Sequence, residues 1–117
     1  RRVGEISKLF IEAGVIVLAA FISPFREGRR KVRSMIPHSD FLEIYVDCPI
    51  EVCEARDVKG FYQKARSGEI SEFTGISSTY EAPEAQELTL NTSKESLSEA
   101  IAKIMELLNN RGILTRP

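Results

Sequence analysis

At 117 residues, with 43% hydrophobic and 28% charged side chains, the chain is sized for one soluble domain or a piece of one. A net charge of −1 excludes a general electrostatic pull toward nucleic acid or an anionic membrane, and no apolar run nears the ~18 residues of a membrane-spanning helix. Two cysteines and one histidine are too few for a zinc site, so Cys48 and Cys53 read as buried free thiols of a reducing compartment.

The chain opens without signal-peptide architecture and without a helix cap, and Arg1-Arg2-Val3-Gly4-Glu5 already reads as helix interior. Val3, Ile6, Leu9, Phe10 and Ala13 keep the spacing of an amphipathic helix, which Gly14 ends. Val15 to Phe21 is a continuous apolar run rich in β-branched residues, which suits a parallel strand buried on both faces. Pro24 fits the first turn of a second helix running to about Met35, which Pro37 and Ser39-Asp40 break. Phe41 to Asp47 is the second strand. Pro49 starts a short helix to about Ala55, and another runs from near Gly60 to Ser67 and stops at Gly68. Residues 69–86 keep no period and read as an extended loop. Glu87 to Asn91 is a third strand. Ser93 or Ser96 caps a last helix with apolar positions Leu97, Ile101, Ile104, Leu107 and Leu108, and Gly112 follows it. Strands alternating with helices predict an α/β fold with a parallel sheet.

Ligands of open parallel sheets bind beyond the carboxyl ends of the strands. Ser23, Asp47 and Asn91-Thr92-Ser93 all fall at such ends. Each taken alone is equally a turn or cap residue, and their shared rim points to a phosphate- or nucleotide-handling site. The segment Arg56 to Arg66 carries Arg56, Lys59, Lys64 and Arg66 between possible hinges at Gly60 and Gly68. Cations there suit phosphoryl transfer, and hinges suit a lid that excludes water. A solvated charged helix is the alternative. Phe73, in Phe73-Thr74-Gly75-Ile76, either stacks on a purine, worth ~1–3 kcal/mol, or pins its loop to the core. Arg26, Arg29, Arg30, Lys31 and Arg33 read as a solvated helix face or an anion site. His38 has no partner motif.

Long segments of the chain resemble adenylylsulfate kinase, which phosphorylates adenosine 5′-phosphosulfate (APS) on its 3′-hydroxyl. They include Phe21-Ile22-Ser23-Pro24-Phe25-Arg26, Val46-Asp47-Cys48-Pro49, Cys53-Glu54-Ala55-Arg56-Asp57-Val58-Lys59-Gly60, Gly68-Glu69-Ile70, Phe73-Thr74-Gly75-Ile76 and Tyr80-Glu81-Ala82-Pro83-Glu84. They come in the family's order and spacing over essentially the whole chain. The resemblance implies a P-loop kinase fold, with residues 1–117 as the C-terminal two-thirds of one kinase domain. It implies ATP with Mg²⁺, the product 3′-phosphoadenylylsulfate (PAPS), a role in sulfate activation and assimilation, a cytoplasmic location and a homodimer. Ser23 matches the family's phosphoserine position. A covalent intermediate and direct in-line transfer with Ser23 as a substrate contact both fit. Ile22 and Ser23 match positions lining the APS pocket. Lys59 matches the lid lysine that reaches the substrate. Phe73, with Glu72 beside it, matches the aromatic that stacks on the APS adenine. Arg56 matches a lid arginine near ATP, and Thr92 lies where the ATP adenine is held.

The chain departs from the family pattern in one respect. No Gly-x-x-x-x-Gly-Lys-Ser/Thr phosphate loop and no Asp-Gly-Asp-Asn-x-Arg segment occur in it, and the Mg²⁺ ligands belong to that upstream region of the family. In the family strand order 2-3-1-4-5, the chain supplies strands 3, 4 and 5 and lacks 1 and 2. The expectation is therefore a part of an enzyme, inactive and unstable by itself, with a gap in its sheet. The alternatives are a relative that has lost catalysis and serves as a nucleotide-binding or regulatory domain, such as one fused to ATP sulfurylase, and a structural partner within a larger sulfate-activating assembly.

Overall fold

The structure is a computed structural model and describes residues 1–114. Helix α1 covers Arg2–Glu12 and α2 covers Arg26–Arg33. A 3₁₀ turn at His38–Asp40 leads to strand β1, Ile44–Asp47. Helices α3, Ile50–Arg56, and α4, Phe61–Arg66, precede strand β2, Leu88–Asn91, and helix α5, Leu97–Asn110. Strands β1 and β2 run parallel, with Ile44 opposite Leu88 and Asp47 opposite Asn91. Parallel partners cannot be joined by a tight turn, so α3, α4 and the following loop form the crossover between them. The α/β class and the parallel pairing agree with the sequence pattern.

Local chemistry accounts for the helix ends. Ser96 and Glu99 form a reciprocal capping box: Glu99 N donates to Ser96 Oγ at 3.2 Å and Ser96 N donates to Glu99 Oε2 at 2.7 Å. Beyond α5, Gly112 takes a positive φ of 69°. Helix α1 crosses α2 at Gly4, where an added Cβ would lie 3.1 Å from Val32 Cγ1 and from Met35 Sδ. A side chain there would require both neighbours to give by a few tenths of an ångström. Helix α2 starts at Arg26 rather than at Pro24, because Pro24 and Phe25 belong to the turn that follows Ser23.

The predicted strand at Val15 to Phe21 does not form. The segment carries no ladder, and Leu18 is 87% and Phe21 65% exposed. The physical reason is the lack of a pairing neighbour. An open cavity of about 870 Å³ is lined both by Val17, Ala20 and Phe21 and by Leu42, Ile44 and Tyr45. A second, of about 410 Å³, is lined by Leu18 and Phe21 together with Ile6 and Phe10 of α1. An apolar run with open space on both flanks has nothing to bond its peptide groups. The run keeps the apolar character of a central strand and misses only its partners.

The basic stretch of α2 divides: Arg30 and Lys31 are exposed, as a solvated face would have them, whereas Arg26, Arg29 and Arg33 turn to carboxylates and carbonyls of other segments. Arg33 Nη1 donates to Glu87 Oε1 at 2.6 Å, and its Nη2 donates to Glu87 Oε2 at 2.9 Å and to Glu43 Oε2 at 3.2 Å. Glu87 Oε2 also accepts from Glu43 N at 2.6 Å. The Glu87 side chain is 8% exposed. Burial pushes its carboxyl up, but Arg33 and the Glu43 N–H together outweigh burial and hold it below the ordinary range. Stability from this group is therefore full above the unfolded carboxylate range, near ~4.3, and is lost as pH falls through the lower folded value. In the full-length protein, Glu87→Ala is expected to cost about 1–3 kcal/mol, because it removes charge-assisted hydrogen bonds from a half-buried guanidinium that keeps only Glu43 and the Ala85 carbonyl. Acid-unfolding curves should show a weaker dependence on pH in Glu87→Gln than in the wild type. Identical curves would rule out the coupling.

Candidate functional site

Ser23 sits directly after the apolar run and lines the larger cavity with Ile22. Both are exposed. Ser23 has φ 42°, a left-handed conformation that costs a non-glycine residue about 1–3 kcal/mol. Neighbouring segments hold the turn in place. Glu81 N donates to the Pro24 carbonyl at 2.8 Å, and Glu81 Oε2 accepts from Arg26 N at 2.7 Å. Phe25, at the N-cap, offers no side-chain cap, so the Glu81 carboxylate, 55 residues away in sequence, takes that place at the positive end of α2. Arg29 Nη1 donates to the Ser23 carbonyl at 2.5 Å.

The charged segment after α3 forms a braced turn. Asp57 Oδ1 accepts from Tyr62 N at 3.0 Å and Oδ2 from Gln63 N at 3.1 Å, which caps the first turn of α4. Gly60 N donates to the Asp57 carbonyl at 2.9 Å, and Gly60 takes φ 69°, where a side chain would be strained. Lys59 stands exposed on this turn beside Val58, which is 93% exposed. Arg66 joins α4 to α3 through Glu54 Oε1, with Nε at 2.8 Å and Nη2 at 2.5 Å. The turn thus has a fixed base and a free cationic tip.

Phe73 is half-buried and meets the Tyr62 ring edge to face, with centroids 5.0 Å apart. Its carbonyl accepts from the amides of Ile76, Ser77 and Ser78, and its N–H donates to Ser77 Oγ at 2.8 Å. Phe73 therefore pins its loop to α4 and stays only half-buried. Glu72, exposed, precedes it with φ 54°.

At the sheet rim, Arg56 Nη2 donates to the Thr92 carbonyl at 2.7 Å, and Thr92 N donates to the Asp47 carbonyl at 3.0 Å. Arg56 Nη1 lies 4.0 Å from Cys48 Sγ. Burial, then contact with Cys48, pushes the Cys53 thiol up, so it is protonated near neutral pH. Burial likewise raises the Tyr62 phenol. Both cysteines are free thiols.

The expected site residues thus fall into three groups. Ile22 and Ser23 border the larger cavity. Lys59 rides on the turn between α3 and α4, with Phe73 against α4 and Glu72 beside it. Arg56 and Thr92 are bonded to each other. The second and third groups do not line the cavity. Among the described residues no group of three or more His, Cys, Asp or Glu side chains is arranged to hold a metal ion. Reading the sequence missed the supporting residues Arg29, Glu81 and Asp57. A signal for Arg29 was present: Arg26, Arg29 and Arg33 share one face of α2 by helical spacing, and their repeat marks an inward face rather than a solvated one.

The model of the adenylylsulphate kinase family matches residues 1–91. Two relatives, both called adenylyl-sulfate kinase, come from Acaryochloris marina and Staphylococcus haemolyticus. They are 57% and 52% identical over 114 residues, 97% of this chain and 56% and 57% of their own lengths. The chain therefore spans just over half the length of these curated relatives. Among solved structures, the APS kinase of Mycobacterium tuberculosis in complex with AMPPNP and APS is similar at 38% identity and a TM-score of 0.85. That match covers 92% of this chain and 63% of the solved one. No helix among the described residues is long and apolar enough to cross a membrane.

Proposed function

Since the chain belongs to the adenylylsulphate kinase family, we propose that it forms the C-terminal, substrate-and-lid part of an enzyme that phosphorylates APS with ATP. The γ-phosphoryl group passes to the ribose 3′-oxygen of APS. The bond to the β-phosphate oxygen breaks, the 3′ O–P bond forms, and the hydroxyl proton leaves, giving PAPS and ADP. The observation that carries this reading is the braced lid turn bearing Lys59 on the same scaffold as the serine turn at the cavity mouth.

Each group has a place in that reaction. Ile22 and Ser23 contact APS, and Ser23 is the residue closest to the chemistry. Lys59 swings with the lid to place a point charge on the phosphates or sulfate. Phe73, with Glu72 beside it, stacks its open face on the APS adenine. Arg56 and Thr92 hold the ATP base side at the sheet rim. The groups that cradle the β- and γ-phosphates are not supplied by these residues, since the sequence holds no Gly-x-x-x-x-Gly-Lys-Ser/Thr. Mg²⁺ would offset phosphate charge when bound. A cytoplasmic homodimer, standing alone or fused to ATP sulfurylase, completes the proposal. Two unpaired thiols support a reducing compartment.

The test begins with intact mass and N-terminal sequence of the natural protein, followed by ATP consumption with and without APS. A mass well above 13.1 kDa together with APS-dependent turnover is the expected result. ATP and APS binding without turnover in the full-length protein would instead point to a regulatory domain.

A further inference from the structure

The left-handed turn at Ser23 needs something to enforce it, and one side chain reaches it from α2. Arg29 Nη1 donates to the Ser23 carbonyl at 2.5 Å, and Nη2 donates to the Glu81 carbonyl. Its Nε lies 3.2 Å from Glu43 Oε1, a charge pair without hydrogen-bond alignment, since that oxygen has no hydrogen-bond partner. The guanidinium carbon stands 5.6 Å from the Tyr80 ring centroid. The Arg29 side chain is only 11% exposed. All three nitrogens are thus engaged, toward three different segments, and one of those partners is the backbone of the proposed substrate-contact serine.

The neighbouring arginines do other work. Arg26 Nε holds the Ala82 carbonyl at 2.7 Å, and Arg33 grips Glu43 and Glu87. Arg29 alone on this helix bonds the Ser23 carbonyl among the described residues. A lysine would keep the charge and three donors, but they radiate from one nitrogen, whereas the planar fork reaches the two carbonyls and Glu43 from three separate nitrogens in a fixed geometry.

We propose that Arg29 is a positioning residue for the reaction: it locks the Ser23 turn so that Ile22 and Ser23 present a fixed edge to the sulfonucleotide. This rests on the reading of Ser23 as a substrate contact. Because Arg29 does not border the proposed ATP base site at Arg56 and Thr92, its loss bears on one substrate and spares the other.

The test uses Arg29→Lys, with Arg29→Ala alongside, in the full-length protein. Amide hydrogen exchange is read over residues 20–25 and over β1, and KM is measured separately for APS and ATP. Exchange over residues 20–25 is expected to quicken about tenfold in Arg29→Lys while β1 is unchanged. The kcat/KM for APS should fall about a hundredfold, with KM for ATP within about twofold. Unchanged exchange at the turn overturns the proposal. So does exchange that rises equally in β1, or a KM for ATP that climbs in step with that for APS, since either marks a general packing role. A wild-type protein that turns over no APS would overturn the functional reading, and with it the substrate half of this proposal. Locally faster exchange in Arg29→Lys would then still support the hold on the turn.

Discussion

Purified by itself, the 117-residue chain is expected to be a loosely packed, dye-binding species that unfolds without a sharp transition and turns over no APS. Its surface is 8727 Å², against roughly 6,400 Å² for a folded monomer of its mass. The excess of roughly 2,300 Å² is the size of an obligate interface. The radius of gyration is 16.2 Å, where a compact domain of this length has roughly 13 Å. The buried apolar residues are Ile36, Ala65, Leu90 and Ala100, and no large side chain is fully buried among the described residues. Two of those four are alanines, which is too little apolar burial to offset the chain entropy of a domain. Ile6, Leu9, Phe10, Leu18 and Phe21 instead stand open around the unpaired run. Anilinonaphthalene sulfonate fluorescence and a thermal scan check this. A single sharp transition with little dye binding would sink the expectation.

Lys59→Ala in the full-length protein is expected to lower kcat/KM for APS by about a hundredfold, the scale seen when one charge-stabilising group is removed from a developing anion. The same change should leave stability within about 0.5 kcal/mol, because Lys59 is exposed on its turn and bonds to no side chain among the described residues. The turn is built by Asp57 and Gly60 and survives without the lysine. The measurement is steady-state kinetics beside a melting curve. Lost activity with an unmoved melting temperature assigns Lys59 to the chemistry. Activity unchanged within twofold would remove it from the site, and a matching loss of both would make it structural.

The helices were legible in the sequence because their signals are local. Gly112 stops α5, Ser96 and Glu99 cap it, and Pro49 opens α3. Strands β1 and β2 were legible as apolar runs between turn formers, although β1 begins at Ile44 rather than Phe41. The run at 15–21 was misjudged for a nonlocal reason. Its composition says what it would do in a sheet, while pairing depends on peptide groups the chain does not place beside it. The site divides in the same way. Candidate ligand contacts could be put forward by resemblance. The residues that hold them could not, because Glu81 capping Arg26 and Arg29 reaching Ser23 depend on contacts between segments. Periodicity assigns faces of helices, and it does not say which carbonyl an arginine will find.

The pairing of β1 with β2 has a kinetic consequence. Ile44 and Leu88 meet across 44 residues, so forming the pair closes a loop whose logarithmic entropy term alone is about 3.4 kcal/mol. Helix α4 can shorten that search by forming first, since its cap from Asp57 is local. Once folded, the lid is also a tether that keeps one strand at high effective concentration beside the other. A protease cut at the exposed turn around Val58 would therefore leave both strands in place at first, yet convert their union into a bimolecular one that dilution can undo.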